Sequence, residues 1–230
     1  MLQPVYLDLN RPFPDPHQAL SDPNGLLAIG ADLSSKRLID AYNNGIFPWF
    51  SDEQPVLWWS PDPRIGLELS SHTISKSMRK FIRKSSLKVT INRDFEQVIR
   101  QCALQREGET WINNDMYQAY IKLHQLGHAQ SVEVWQQQQL VGGLYGVNVG
   151  QVFCGESMFH TVSNASKLAF HLFCQHFAAH GGVYIDGQVE NPHLLSLGMQ
   201  ALARDDFLSL LKTTKDKPLN PNCWRPQEIR

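Results

Sequence analysis

The chain has 230 residues, of which 42% are hydrophobic, enough to bury a full core and too apolar for a disordered protein. Its formal net charge of -1 gives no overall attraction to nucleic acid, so any such binding has to come from a local cluster of Lys and Arg. Cys102, Cys154, Cys174 and Cys223 form no C-x-x-C pair and no run of 18 apolar residues occurs, which argues against a zinc ribbon, a redox motif and a membrane-spanning helix.

The N-terminus, Met1-Leu-Gln-Pro-Val-Tyr6, carries neither the basic region nor the apolar stretch of a secretory signal, so a soluble cytoplasmic protein is expected. The first sixty residues are dense in Pro and aromatic residues and predict one helix, from Ser34 to Asn44, with Leu38, Ala41 and Tyr42 on one face and Gly45 as its stop. The rest of this segment reads as loop. Pro61 and Pro63 mark a boundary, giving a small N-terminal domain over 1–62 and a larger domain over 63–230.

Beyond that boundary helices and strands alternate. Helix 73–84 precedes strand 87–91, in which Leu87, Val89 and Ile91 alternate with Lys88 and Thr90. A helix opened by Asn92 or Arg93 carries Phe95, Val98, Ile99 and Cys102, and another runs from Asn114 to Leu126, stopped by Gly127. An antiparallel meander follows, with strands at 131–135, 140–147 and 151–159. Helix 164–180, capped by Ser163 or Asn164, then leads to strand 183–189. A connection of that length favours a parallel neighbour, so a mixed sheet is expected in an α/β (α+β) fold.

Two of these strands carry polar groups where a core strand would be apolar. By period-two alternation, Val152, Cys154, Glu156 and Met158 share one face of the first, and Tyr184, Asp186 and Gln188 share one face of the second. An unpaired buried carboxylate costs several kcal/mol, so these groups mark either a reactive site or a satisfied network that fixes register.

The order of elements resembles the GNAT acetyltransferase superfamily. Where those enzymes bind the pyrophosphate of coenzyme A on a glycine-rich loop, this chain has His160-Thr-Val-Ser-Asn-Ala-Ser-Lys167, without glycine. Coenzyme A is therefore not expected, and a different acyl carrier is implied.

The helix over 73–84 gathers Ile74, Met78, Phe81 and Ile82 on one side and Lys76, Arg79, Lys80, Arg83 and Lys84 on the other, with no Asp or Glu from residue 69 to 93. A one-sign face suits a phosphate backbone, the alternative being an ordinary solvated surface. Trp49 and Trp111 are candidate stacking platforms for unpaired bases, or else core filler. His124/His128 and His176/His180 are i, i+4 pairs without H-E-x-x-H or a third ligand at regular spacing, so no metal is expected. Basic helix, two Trp and polar strands together suggest an aminoacylated RNA end as substrate. An N-acetyltransferase, or a tRNA-binding module without catalysis, are the alternatives.

These motifs together resemble the leucyl/phenylalanyl-tRNA-protein transferase family. The resemblance is carried by Asn24-Gly-Leu-Leu-Ala-Ile-Gly30, Gly45-Ile-Phe-Pro-Trp-Phe50, Trp58-Trp-Ser-Pro-Asp-Pro-Arg64, Glu109-Thr-Trp-Ile112, Phe153-Cys-Gly-Glu-Ser-Met-Phe159, Asn164-Ala-Ser-Lys167 and Asp186-Gly-Gln188 with Ser196-Leu-Gly198. It implies a small N-terminal domain packed on a GNAT-like C-terminal domain, and a reaction that needs no cofactor. That reaction is transfer of Leu, Phe or less readily Met from charged tRNA to the α-amino group of proteins beginning with Arg or Lys, marking them for degradation.

By the same resemblance Trp49 and Trp111 hold the terminal adenosine with Tyr42 and Tyr120 nearby, and the basic helix holds the acceptor stem. Leu144, Phe153, Phe173, Phe177 and Ile185 line the pocket for the transferred side chain, Leu144 standing where the family often has Met. Gln188 is implied to receive the incoming amine, Asp186 to orient Gln188, Glu156 to attract the cationic acceptor and Asn191 to frame the site. Aminolysis of an ester needs a neutral amine, a stabilised oxyanion and a route for the proton. An amide is a very poor base, so Gln188 is expected to act by positioning.

Overall fold

The computed structural model describes residues 3–105 and 111–230. Its N-terminal part is more ordered than the sequence pattern suggests. After β1 (Val5–Leu7) and β2 (Leu26–Gly30), the Ser34 hydroxyl caps α1 (Ser35–Asn43) by accepting from the Arg37 N–H. This helix buries Leu38, Ala41 and Tyr42, and Gly45, at φ +72°, follows its end. β3 (Phe47–Pro48) and β4 (Leu57–Trp59) complete a four-stranded sheet in the order β1-β2-β4-β3, which corrects the loop-like expectation. Strands of two to five residues, interrupted by Pro, are too short to show alternation.

The second sheet has eight strands among the described residues. In chain order its part of the molecule runs β5 (Arg64–Glu68), α2 (Lys76–Lys84), β6 (Lys88–Ile91), α3 (Phe95–Leu104), α4 (Asn114–Gln125), β7 (Ala129–Gln136), β8 (Gln139–Val149), β9 (Val152–His160), α5 (Ala165–Ala179), β10 (Tyr184–Gln188), α6 (Pro192–Ser196), β11 (Gln200–Leu202), α7 (Arg204–Thr214) and β12 (Gln227–Ile229). The spatial order is β11-β5-β10-β9-β8-β7-β6-β12. The expected meander is β7-β8-β9, and after the α5 crossover β10 lies parallel to β9, with Tyr184 beside Val152, Ile185 beside Phe153 and Asp186 beside Cys154. The short strands β5, β11 and β12 had no legible pattern.

Helix starts differ from expectation by a residue or two. Ser75 caps α2, Asp94 caps α3 in place of Asn92 or Arg93, and Asn113 caps α4. Asn164 precedes α5 in the left-handed region, at φ +65°, and caps it without a side-chain hydrogen bond.

One correction matters for the site. Tyr145 pairs with Ser157 and Gly146 with Gly155, so Glu156 is an extra residue in β9. Beyond this bulge the alternation is reversed. Met158 lies opposite Leu144 and packs with the cluster around Phe153, on the other face from Cys154. A second irregularity, in the pairing of β10 with β5, makes Gly187 the extra residue and leaves Gln188 at φ +64°.

Apolar residues cover both faces of the larger sheet. On one face Cys154, Tyr145, Phe95 and Tyr120 join Trp58, Tyr42 and Phe47 in one cluster, so the smaller sheet and α3, α4 share a core across the Trp59–Arg64 connection. On the other, α5 packs Phe173 and Phe177 against Phe153 and Ile185, and α2 adds Met78. No helix among the described residues is long and apolar enough to cross a membrane.

Candidate active site

The parallel pairing of β9 with β10 stops at Cys154 and Asp186. Past that point the strands part, and a cleft of about 1530 Å³ opens between Gly155–Met158 on one side and Gly187–Asn191 on the other. Its floor on one flank is apolar. Leu144, Phe153, Phe173 and Ile185 line it, and Phe170, Met158 and Met199 join them. Phe153 meets Phe173 edge-on at 4.6 Å. Gly146 lets the chain pass close by, since an added Cβ there would lie 2.2 Å from the Cys154 carbonyl oxygen and 2.7 Å from the Phe153 ring. Phe177 is placed differently from expectation. It is fully buried behind the wall, stacked on Phe173 at 5.4 Å, and supports the pocket without facing it.

At the head of this pocket stands Glu156. Tyr42 donates its hydroxyl to Oε1 at 2.7 Å, Tyr120 to Oε2 at 3.0 Å, and Gln188 Nε2 to Oε1 at 2.7 Å. The two tyrosine hydroxyl oxygens also lie within hydrogen-bond distance of each other. Burial pushes the Glu156 carboxyl up to about 7, against the opposing pull of these three donors. Burial and the carboxylate likewise hold both tyrosines well above the usual phenol range. Tyr42 and Tyr120 are 1% and 0% exposed, so neither presents a ring face for an adenine, and they reach the site through their hydroxyls alone.

Asp186 is committed elsewhere. Arg64 Nε donates to Oδ1 at 2.9 Å and Nη2 to Oδ2 at 2.7 Å, a bidentate pair 1% and 0% exposed. Arg64 also donates to the Gly45 carbonyl at 3.1 Å and sits between the rings of Phe47 and Phe207, 4.8 and 4.7 Å from their centroids. Asp186 also accepts from the backbone N–H of Gln188, at 2.8 Å, and from the Cys154 thiol. Asp186 therefore holds the turn that carries Gln188, and Glu156 orients the side-chain amide. With Nε2 engaged, the amide oxygen of Gln188 is the atom left to accept from an incoming group. Sequence reading missed Arg64 as a partner, because no periodicity links it to a residue so distant in the chain.

Trp49 is 45% exposed and lines the cleft, with Trp111 half-buried on it as well. Glu109 and Thr110, of the motif around Trp111, lie outside the described residues. Asn191 lines the cleft and caps α6 by accepting from the Leu194 N–H. A residue not foreseen, His193, also lines it, with Nε2 3.0 Å from the Met158 sulfur. Lys76, Arg79, Lys80, Arg83 and Lys84 are all exposed on α2, and none is in an ion pair among the described residues.

The His176/His180 pair gains a third donor from the fold, buried Cys223, the three ligand atoms lying within 4.8 Å of one another. His176 already faces the Cys223 carbonyl at 2.8 Å, and His180 faces that of His176 at 2.7 Å.

Comparison with known proteins bears on this arrangement. Residues 67–212 match the family described as leucyl/phenylalanyl-tRNA protein transferase, and residues 31–62 match the N-terminal domain of that family. The chain is 54% identical to a leucyl/phenylalanyl-tRNA–protein transferase of Shewanella piezotolerans, over 94% of this chain and 93% of the relative. It is 52% identical to the protein of that name from Pseudoalteromonas atlantica, over 100% of this chain and 99% of the relative.

Proposed function

Since the chain belongs to the leucyl/phenylalanyl-tRNA protein transferase family, we propose that it transfers Leu, Phe and less readily Met from charged tRNA to the α-amino group of proteins beginning with Arg or Lys, marking them for degradation. The protein is an aminoacyltransferase that draws on aminoacyl-tRNA and modifies proteins. The observation that supports this reading is the meeting, where β9 and β10 part, of an apolar pocket with the Glu156–Gln188 pair, in a cleft that Trp49 and Trp111 also line.

In this reading the transferred side chain enters the pocket of Leu144, Phe153, Phe173 and Ile185, which matches Leu, Phe and Met in chemistry. The terminal adenosine stacks on Trp49 and Trp111, and the phosphates of the acceptor stem lie along α2. The α-amine of the acceptor donates to the amide oxygen of Gln188, which places its lone pair toward the ester carbonyl. Attack forms the C–N bond, collapse of the tetrahedral adduct breaks the bond to the ribose oxygen, and the proton lost by the amine passes to that oxygen. No group here is a strong base, so holding amine and ester together supplies the larger part of the rate. Glu156 fixes the amide. Asn191 frames the entrance. Burial of all four cysteines fits a cytoplasmic setting.

The test is direct. Phe-charged tRNA, a peptide beginning with Arg and the protein are incubated together, and a peptide heavier by one Phe residue is expected by mass spectrometry. A peptide of unchanged mass removes the reading.

A further inference from the structure

Beside the main cleft lies a smaller one of about 340 Å³, bordered by the aromatic residues Phe47, Trp49 and Trp59, the side of Asn24, and Glu190. Val189 and Glu190 line both clefts and directly follow Gln188, so the two clefts share the stretch of chain just past the residue that would receive the amine. Its wall is fixed in place. Trp59 donates its indole N–H to the Trp49 carbonyl at 2.7 Å, and the two indoles meet at 5.9 Å and 58°.

Charge adds a second observation. Both oxygens of Glu156 are occupied by Tyr42, Tyr120 and Gln188, and both oxygens of Asp186 by Arg64 and the Gln188 N–H. Both are already engaged inside the protein. Glu190 is exposed and in no ion pair among the described residues. A cleft lined by two indoles and one carboxylate in no ion pair among the described residues suits a guanidinium or alkylammonium, through cation–π contact and a charge-assisted hydrogen bond.

We propose that this cleft holds the cationic side chain of the acceptor's first residue, and that Glu190 is the residue that selects it. The inference rests on the transfer reading above, because it takes the acceptor's α-amine to be at Gln188. Arg should be favoured over Lys, since a planar guanidinium can both stack on an indole and bond to the carboxylate.

The experiment uses the full chain, Phe-charged tRNA and three peptides that differ only in their first residue: Arg, Lys and citrulline, the neutral counterpart of Arg. The unmodified protein should prefer Arg and Lys over citrulline. Glu190→Gln should raise KM for the Arg and Lys peptides roughly three- to tenfold at unchanged kcat, with KM for citrulline and for the charged tRNA held. An Arg-to-citrulline ratio that survives Glu190→Gln overturns the assignment of the cleft. So does an equal rise for all three peptides, which would make Glu190 only a shaper of the loop. If the unmodified protein transfers Phe to none of the peptides, the transfer reading fails, and that result is distinct from both.

Discussion

Gln188 donates through Nε2 to Oε1 of Glu156 at 2.7 Å, while Asp186 reaches Gln188 through the backbone N–H at 2.8 Å. Two carboxylates thus divide one task. The first sets the direction of the amide, and the second, locked to Arg64, sets the position of the turn from which it projects. The left-handed backbone of Gln188, at φ +64°, is held by this pairing.

Gln188→Ala removes the acceptor for the amine without touching the pocket, Trp49 or Trp111. Turnover at saturating substrates should fall roughly 10- to 100-fold, the cost of a misplaced reactant, with KM for charged tRNA unchanged. Single-turnover transfer of Phe to an Arg-initiated peptide measures it. A rate equal to that of the unmodified protein means the amine is received elsewhere.

The Glu156 carboxyl, raised to about 7 by burial, makes a prediction about stability. Its folded pKa lies above its unfolded value, so between about pH 4.5 and 7 the native state keeps a proton that the unfolded chain has released. The favourable contribution is full below the unfolded pKa and is lost as pH rises through the folded one. The loss is on the order of 3 kcal/mol. Glu156→Gln has no such proton, so urea melts at pH 5 and pH 8 should show the unmodified protein losing stability relative to the variant. Parallel pH profiles would place the carboxyl at its ordinary value.

Arg64 and Asp186 are both fully buried, so deleting either leaves the other charge without its partner. Asp186→Asn and Arg64→Met should each destabilise the fold by about 3–5 kcal/mol. The pair Arg64→Met/Asp186→Asn should cost less than the sum, because no lone charge remains. Additive losses in denaturant would mean that the two do not act as a unit.

What was legible in the sequence follows from length and period. The meander, the α5 crossover and the parallel placement of β10 show in runs of five or more alternating residues and in a helix of 15. The sheet built from β1 to β4 does not, because its strands are too brief to carry a period. Of the site, Glu156 and Gln188 stood out as polar residues in core strands. The partners that decide their roles were hidden. Arg64 is joined to Asp186 only by the fold, and the bulge at Glu156 that turns Met158 into the apolar pocket leaves no mark in a strand that otherwise alternates. Phe177 and the two tyrosines were matched by position to the site, yet position could not say that they stand behind it.

Trp49 is exposed although it is large and apolar, which suits a platform awaiting a base better than a core residue. Trp49→Ala and Trp111→Ala should each raise KM for charged tRNA by the equivalent of roughly 1–3 kcal/mol. Circular dichroism melts separate this from unfolding. Trp111 packs against the shared core, so of the two it should show the larger drop in melting temperature.

The basic face of α2 yields the clearest separation of binding from chemistry. Met78 is buried and Ile74, Phe81 and Ile82 are half-buried against the core, while Lys76, Arg79, Lys80, Arg83 and Lys84 project outward, distant in sequence from every residue assigned to the transfer site. Replacing Arg79, Lys80, Arg83 and Lys84 with Ala keeps the apolar side and substitutes the strongest helix former, so the fold should tolerate it. Arg83 and Lys84 lie in the last turn, where their loss costs the helix only tenths of a kcal/mol. Affinity for tRNA should fall, and the slope of log affinity against log salt should flatten by roughly 0.7–0.9 for each phosphate contact removed. Transfer at saturating charged tRNA should survive, since the pocket and the Glu156–Gln188 pair are untouched. Filter binding over a salt series gives the slope, and an unchanged slope would reduce the face to an ordinary solvated surface.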